Sequence, residues 1–344
     1  MISIAMFNNK GGVGKTTLTC NIASYFAKRQ GRKVAVVDCD PQCNSTQLIM
    51  GEEFSEKLYT DIVTKTKYST ISDILQPIEV GEADIDENIK IIPAAQNRFG
   101  VDLLPGHPSF SVIEDLLSLA WWELKSGTIG GFRKTNWNTR LCEILSPNYD
   151  FVFFDLGPSL GSINRSVLVG CNNFITPMGT DIFSILGIKN IAKWFISWIE
   201  LYDNGYVVCS KADPGKIGDY HVKKDLDIKT GYLGYTMQQY ITKSKKGIRR
   251  PTKAYEDIIK DVPNQISGSL STFCRGKIAD TKLGDVPHLY SLIPLAQSVS
   301  APILDLRSAD GLVGSQFKQR EDYGEIIGSI VDKITANLSI GDMK

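Results

Sequence analysis

A doubly wound α/β fold, with a mostly parallel sheet covered by helices on both faces, is what this 344-residue sequence predicts. Three observations carry that expectation. Short runs such as Val34-Ala35-Val36-Val37 and Phe151-Val152-Phe153-Phe154 are almost wholly apolar, as central parallel strands buried on both faces are. Helical patterns alternate with these runs along the chain. A glycine-rich loop joins the first strand to the first helix, and folds of this kind bind ligands at the carboxyl ends of their strands.

Taken in order, β-branched and aromatic runs bounded by Gly, Pro, Asn or Asp predict strands over 2–7, 33–38, 89–93, 150–155, 173–178, 231–237 and 289–294. Helices are expected over 16–29, 44–50, 111–125, 138–145, 162–170, 181–201, 252–260 and 319–338. The helix over 181–201 is apolar around most of its circumference and reads as core. In the last helix Tyr323, Ile326, Ile327, Ile330, Val331 and Ile334 recur at three- and four-residue spacing. Its polar face holds Glu321, Asp322, Glu325 and Asp332, where a membrane-surface helix would be basic, so packing on the sheet is expected. The whole chain, 1–344, reads as one domain with two insertions. The first, about 100–148, gathers Phe110, Trp121, Trp122, Phe132 and Trp137, whose aromatic rings suit either a small core or partner anchors. The second, about 203–230, is polar and expected to be a long loop or hairpin.

Lysine plus arginine equals aspartate plus glutamate at 38 each, so any basic binding surface must be local. Seven cysteines occur without a Cys-x-x-Cys pair or a leader segment ahead of the first strand, which predicts reduced thiols and a cytoplasmic protein. No apolar run reaches the length that spans a bilayer, and no membrane partner is expected.

The most specific stretch is Lys10-Gly11-Gly12-Val13-Gly14-Lys15-Thr16-Thr17, between the first strand and the first helix. Three glycines let the backbone turn tightly and aim N–H groups at an anion, helped by the positive end of the following helix. Lys15 is placed to reach outer phosphates and the Thr16 hydroxyl to hold Mg²⁺. A second lysine, Lys10, stands at the loop entrance, where the usual first glycine is replaced by Asn9. The second strand ends in Asp38-Cys39-Asp40-Pro41-Gln42, whose two carboxylates suit orienting a water and holding Mg²⁺ through its hydration shell; one of them alternatively caps the next helix. Asp155 closes the apolar run 151–154 in the manner of a second carboxylate on the metal.

These three segments, with Asp155-Leu156-Gly157-Pro158-Ser159-Leu160-Gly161 followed by Asn164, resemble the motifs of the ParA/MinD family of deviant Walker-A ATPases, and their order and spacing favour the ParA branch. The resemblance covers roughly 2–199 and 231–338, and implies a P-loop NTPase fold with ATP and Mg²⁺ as cofactors. It implies that Gly11, Gly12, Val13, Gly14, Lys15, Thr16 and Thr17 bind the phosphates. Metal contacts would come from Thr16, Asp38 and Asp155, and Asp40 would place the attacking water. The segment from Pro294 and Leu295 to Val299 would lie against the adenine. Lys10 would be the signature lysine that crosses to a partner's nucleotide, so that ATP forms a homodimer and hydrolysis releases it. Slow turnover stimulated by a partition-type partner protein is also implied. The family usually carries two prolines after this aspartate, whereas this chain has Gly157-Pro158.

The run 243–250, with Lys243, Lys245, Lys246, Arg249 and Arg250 followed by Lys253, is basic without an acid. ParA-branch dimers bind DNA without sequence preference through basic residues, which makes this run the candidate for salt-sensitive contacts to phosphate. Plasmid or chromosome partition, or positioning of another cargo, is the function expected. The rival reading is an ATP-dependent dimeric switch read by a partner protein, without DNA. Phosphate transfer to a small acid, and an iron–sulfur electron carrier, are further readings; neither gives the second lysine or the scattered cysteines an evident use.

Overall fold

The structure, a computed structural model, describes all residues except 213, 241, 246–247, 252–260, 277, 279 and 340–344. Among the described residues, seven strands form one parallel sheet. They are β1 (Ile2–Met6), β2 (Val34–Cys39), β3 (Asp102–Leu104), β4 (Phe151–Leu156), β5 (Asn173–Gly179), β6 (Tyr232–Tyr240) and β9 (Lys282–Pro287). Their order across the sheet is β3-β2-β4-β1-β5-β6-β9. A separate two-stranded hairpin joins β7 (Thr242–Lys245) to β8 (Ile248–Pro251).

Because side chains alternate along a strand, each central strand feeds two cores. Ile4, Met6, Val36, Phe151 and Phe153 face one side, where α1 (Lys15–Gln30) brings Leu18, Ile22 and Phe26. The C-terminal helix Gln316–Ser339 packs on the same side through Ile327, Ile330, Val331 and Ile334. Ala5, Phe7, Val37, Val152 and Phe154 face the other side. There they meet α5 (Ile71–Glu79), α6 (Ile113–Lys125), α8 (Trp137–Leu145), α9 (Ser162–Gly170) and α10 (Ile182–Ala212). Phe110, Trp121, Phe132 and Trp137 join this second core, while Trp122 is exposed.

The expected elements differ from the structure in four places. Residues 89–93 supply only an isolated bridge, Ile92 to Leu103, and the edge strand is β3. The apolar run at 289–294 starts the helix Leu292–Ser298, and the strand lies just before it in β9. That strand's Lys-Leu-Gly-Asp-Val-Pro is only half buried, so it carries little of the apolar signal of a central strand. Helix α10 runs 31 residues, to Ala212, and so takes in the start of the polar stretch 203–230 expected as loop or hairpin. Helices α2 (Asn44–Met50), α3 (Glu52–Thr60), α4 (Ile62–Lys67) and α7 (Ile129–Thr135) complete this part of the chain; of these only α2 was expected, and α5 was not expected either. The expected helix at 252–260 lies outside the described residues. Among the described residues no helix is long and apolar enough to cross a membrane.

Candidate functional site

A parallel sheet places every strand's carboxyl end along one edge, and a cleft of about 710 Å³ opens there beside the loop after β1. Asn8 shapes the start of that loop: its Nδ2 donates to Pro177 O on β5 at 2.7 Å, and its Oδ1 accepts from Lys10 N at 3.0 Å. Gly12 and Gly14 both sit at φ 72°, a left-handed conformation that costs a residue with a Cβ roughly 1–2 kcal/mol. Gly14 is the N-cap of α1 and offers no side chain to the first turn, so the helix's leading N–H groups face the cleft. Gly11 to Thr17 all line it.

Lys15 is buried, and its Nζ donates to Lys10 O at 3.0 Å. Burial pushes its pKa down, against the pull of Asp155 and Asp40. The Thr16 hydroxyl donates to Asp155 Oδ2 at 2.7 Å. Strands β2 and β4 are adjacent and in register, which sets Asp38 opposite Asp155, but the two carboxylates serve different ends. Asp155 is fully buried, and its Oδ1 has no hydrogen-bond partner. Burial pushes its pKa up to about 6, against the hydrogen bonds from Ser45 and Thr16.

Asp38 is also fully buried, but its Oδ2 takes both Thr46 N at 2.8 Å and Thr46 Oγ1 at 2.7 Å, and its Oδ1 takes Asp40 N at 3.2 Å. Burial, then the charge of Asp155, pushes its pKa up to about 7. Through Thr46 it holds the first turn of α2, as the capping alternative has it, while its place opposite Asp155 keeps it beside the carboxylate expected on the metal. Asp40 does line the cleft; its Oδ1 accepts from Gln42 N at 3.0 Å. A Cβ on Gly157 would stand 3.3 Å from Asp40 Oδ1, so glycine at this position leaves the carboxylate room.

The residues fit a magnesium ion carried by phosphates. Thr16 Oγ1 and Asp155 converge beside Lys15, and the partnerless Oδ1 of Asp155 suits a water from the metal's shell. Magnesium is commonly held by one or two carboxylates together with phosphate oxygens. Among the described residues no group of three or more His, Cys, Asp or Glu side chains gathers into an all-protein cage.

Lys10, one residue before the cleft-lining Gly11, pairs with Asp181 of the same chain, both side chains about a third exposed. Asp181 Oδ1 also accepts from Phe183 N and Ser184 N, so one carboxylate caps α10 and holds the lysine. At the far end the cleft is lined by Gln238, Val286, Pro287, Leu289, Ile293 and Gln297. Pro294 and Leu295, expected against the adenine, are not in that lining; they share the helix Leu292–Ser298 with Ile293 and Gln297, which are. In the basic run, Lys243 and Lys245 fall on β7 and Arg249 and Arg250 on β8, away from the central sheet, with Lys243 paired to Arg250 in register. Lys246 and Lys253 lie outside the described residues.

Sequence reasoning missed Ser45, Asp181 and Gln238. A serine among Asn44-Ser45-Thr46 carries no chemical pattern of its own, and Asp181 meets Lys10 only through the fold, 171 residues apart. The loop after Asp155 is anchored by one contact that was silent in the sequence, from Trp194, and one from Asn164 of the recognised motif. Trp194 Nε1 donates to Leu160 O at 2.9 Å, and Asn164 Nδ2 donates to Gly157 O at 2.9 Å. Together the cleft can hold a polyphosphate, set a metal beside it and present Asp40 to a water.

The chain as a whole is similar to known proteins. Residues 1–204 match the family described as AAA domain, AAA_31. The crystal structure of protein DIP2308 from Corynebacterium diphtheriae is 33% identical, covers 98% of this chain and 99% of that one, and superposes with a TM-score of 0.73. The sporulation initiation inhibitor protein Soj of Bacillus subtilis is 27% identical over 188 residues, 55% of this chain and 62% of Soj. The chain thus spans less than two thirds of the length of such curated relatives. McdA of Cyanothece, solved in complex with ATP, is 13% identical with a TM-score of 0.63 over 98% of this chain and 96% of that one, and shares the fold.

Proposed function

The chain belongs to the AAA_31 family of ParA/MinD-type ATPases, and from that premise we propose that it binds Mg²⁺-ATP in the cleft beside the loop after β1 and hydrolyses it. The observation that carries the reading is the convergence of Lys15, Thr16 and Asp155, with Asp40 on the same cleft. Backbone N–H groups of 11–17 and the Lys15 ammonium would bind the phosphates. Thr16 and Asp155 would hold the magnesium, which when bound neutralises charge on the phosphates. Asp40 would orient the water and accept its proton as the water attacks the γ-phosphorus in line. The bond to the β–γ bridging oxygen then breaks, leaving ADP and phosphate. McdA, which shares the fold, was solved with ATP, and this supports a nucleotide ligand.

In this reading residues 1–344 form one ATPase domain working in the cytoplasm, and 100–148, expected as an insertion, supplies the edge strand β3 and part of the second core. ATP assembles a homodimer, because Lys10 leaves Asp181 and reaches the partner's phosphates. Association and ATP binding are then reciprocally linked, and hydrolysis weakens the contact. Turnover would be slow until a partner protein stimulates it. The dimer's cargo would be DNA held without sequence preference, in partition or a related positioning task, through the run 243–250.

Equilibrium binding of a fluorescent ATP analogue tests the core of the proposal. Lys15→Ala abolishes binding if the reading holds, and undiminished binding would overturn it. Gel shifts with arbitrary DNA, with and without ATP, test the cargo: ATP-dependent, salt-sensitive retardation is expected. Its absence would favour a switch read by a protein partner.

A further inference from the structure

Ser45 is buried completely in the first turn of α2, and its hydroxyl donates to Asp155 Oδ2 at 2.6 Å. The Thr16 hydroxyl donates to that same oxygen at 2.7 Å, while Oδ1 has no partner. The next residue, Thr46, sends its N–H and hydroxyl to Asp38. The first turn of α2 therefore bridges two adjacent strand ends, one hydroxyl to each carboxylate. That turn also follows directly on the segment carrying Asp40. Cys43, at φ 55°, bends the chain from that segment into the helix, and its N–H donates to Asp40 O at 2.8 Å.

We propose that Ser45 is a positioning residue of the magnesium site, fixing the Asp155 carboxylate so that one oxygen is shared by two hydroxyls and the other is left for the metal's shell, and tying the Asp40 segment to that carboxylate. The inference rests on the Mg²⁺-ATP reading above. The Asp155 side chain turns about two torsions, and two donors on a single oxygen hold both. With Thr16 alone the carboxylate can rotate and bring Oδ1 to the threonine instead. Outer-shell partners of metal ligands typically account for about 10- to 100-fold in metal affinity.

The test measures binding of a fluorescent ATP analogue across magnesium concentrations, and again in excess chelator. Ser45→Ala raises the magnesium concentration for half-maximal binding on the order of tenfold, with binding in chelator unchanged. Ser45→Cys, close in size but a weak donor, gives a shift of the same direction and keeps the packing filled. Cys20→Ala removes the Cys20 Sγ contact to Ser45 Oγ, 3.5 Å, while leaving the bond to Asp155, and produces no shift. An unmoved magnesium midpoint in both Ser45 variants overturns the proposal, as does an equal shift in Cys20→Ala. If the unaltered protein shows no magnesium-dependent binding at all, the underlying ATP reading falls instead.

Discussion

A carboxyl group fully enclosed beside another carboxyl group holds its proton to higher pH, and Asp38 is in that position. With its pKa at about 7 in the folded chain, against an ordinary value near 4 when unfolded, the native state keeps a proton over that interval which the unfolded chain releases. The group's contribution to stability is therefore complete below pH ~4 and is lost as pH rises through about 7. Asp38→Asn, neutral at every pH and still able to accept from Thr46, should raise the melting temperature at pH 8 and do so much less at pH 5. A difference that does not change with pH would refute the assignment. Lys10 and Asp181 make the second residue-scale prediction. An ion pair this exposed is worth roughly 0–1 kcal/mol, enough to retain the lysine in a single chain and weak enough to yield. Asp181→Asn keeps the α10 cap and removes the charge. Two such pairs open per dimer, so the ATP-dependent dimer should form more tightly, by up to about 30-fold. Weaker dimerisation would mean that Asp181 supports the lysine in the assembled state.

At the scale of elements, α9 starts just after the loop that follows Asp155, and its N-terminus is capped from another helix. Both carboxylate oxygens of Glu114 on α6 accept backbone N–H groups, from Ser162 and from Ile163. Glu114→Ala strips these acceptors and should cost about 1–2 kcal/mol, read as a lower denaturation midpoint with unchanged slope. Helix α10 meets the sheet through Phe195, which stacks on Phe174 at 4.7 Å, and meets α6 through Trp198, whose ring lies 5.8 Å from that of Trp121. Trp198→Ala leaves a cavity there and should cost about 3–5 kcal/mol. Which elements were legible in the sequence follows from the same physics. Strands β1, β2, β4 and β5 are central, apolar and bounded by turn residues, so their pattern is local. Edge strands β3 and β9 are short or polar, because they are covered on fewer sides, and their position depends on neighbours distant in the chain. Residues 289–294 misled because a short apolar run cannot be told from the start of a helix by composition alone. In the site, the loop 10–17 announced itself because phosphate chemistry demands its glycines and lysines. Ser45, Asp181 and Glu114 act through contacts made only by folding.

At the scale of the molecule, the sheet edge gathers loops from β1, β2, β4, β6 and β9 around one cleft. Lys10, at the start of the phosphate loop, is held by Asp181, the residue before the chain's own α10. In the proposed function, ATP joins two copies because this lysine exchanges Asp181 for the partner's nucleotide. The measurement that addresses it most directly is sedimentation equilibrium with Mg²⁺-ATP on an Asp40→Ala background, which would slow hydrolysis during the run. The account predicts a dimer for Asp40→Ala and a monomer for Lys10→Ala/Asp40→Ala, with ATP still bound by both. A double variant that dimerises as tightly as the single one would contradict it.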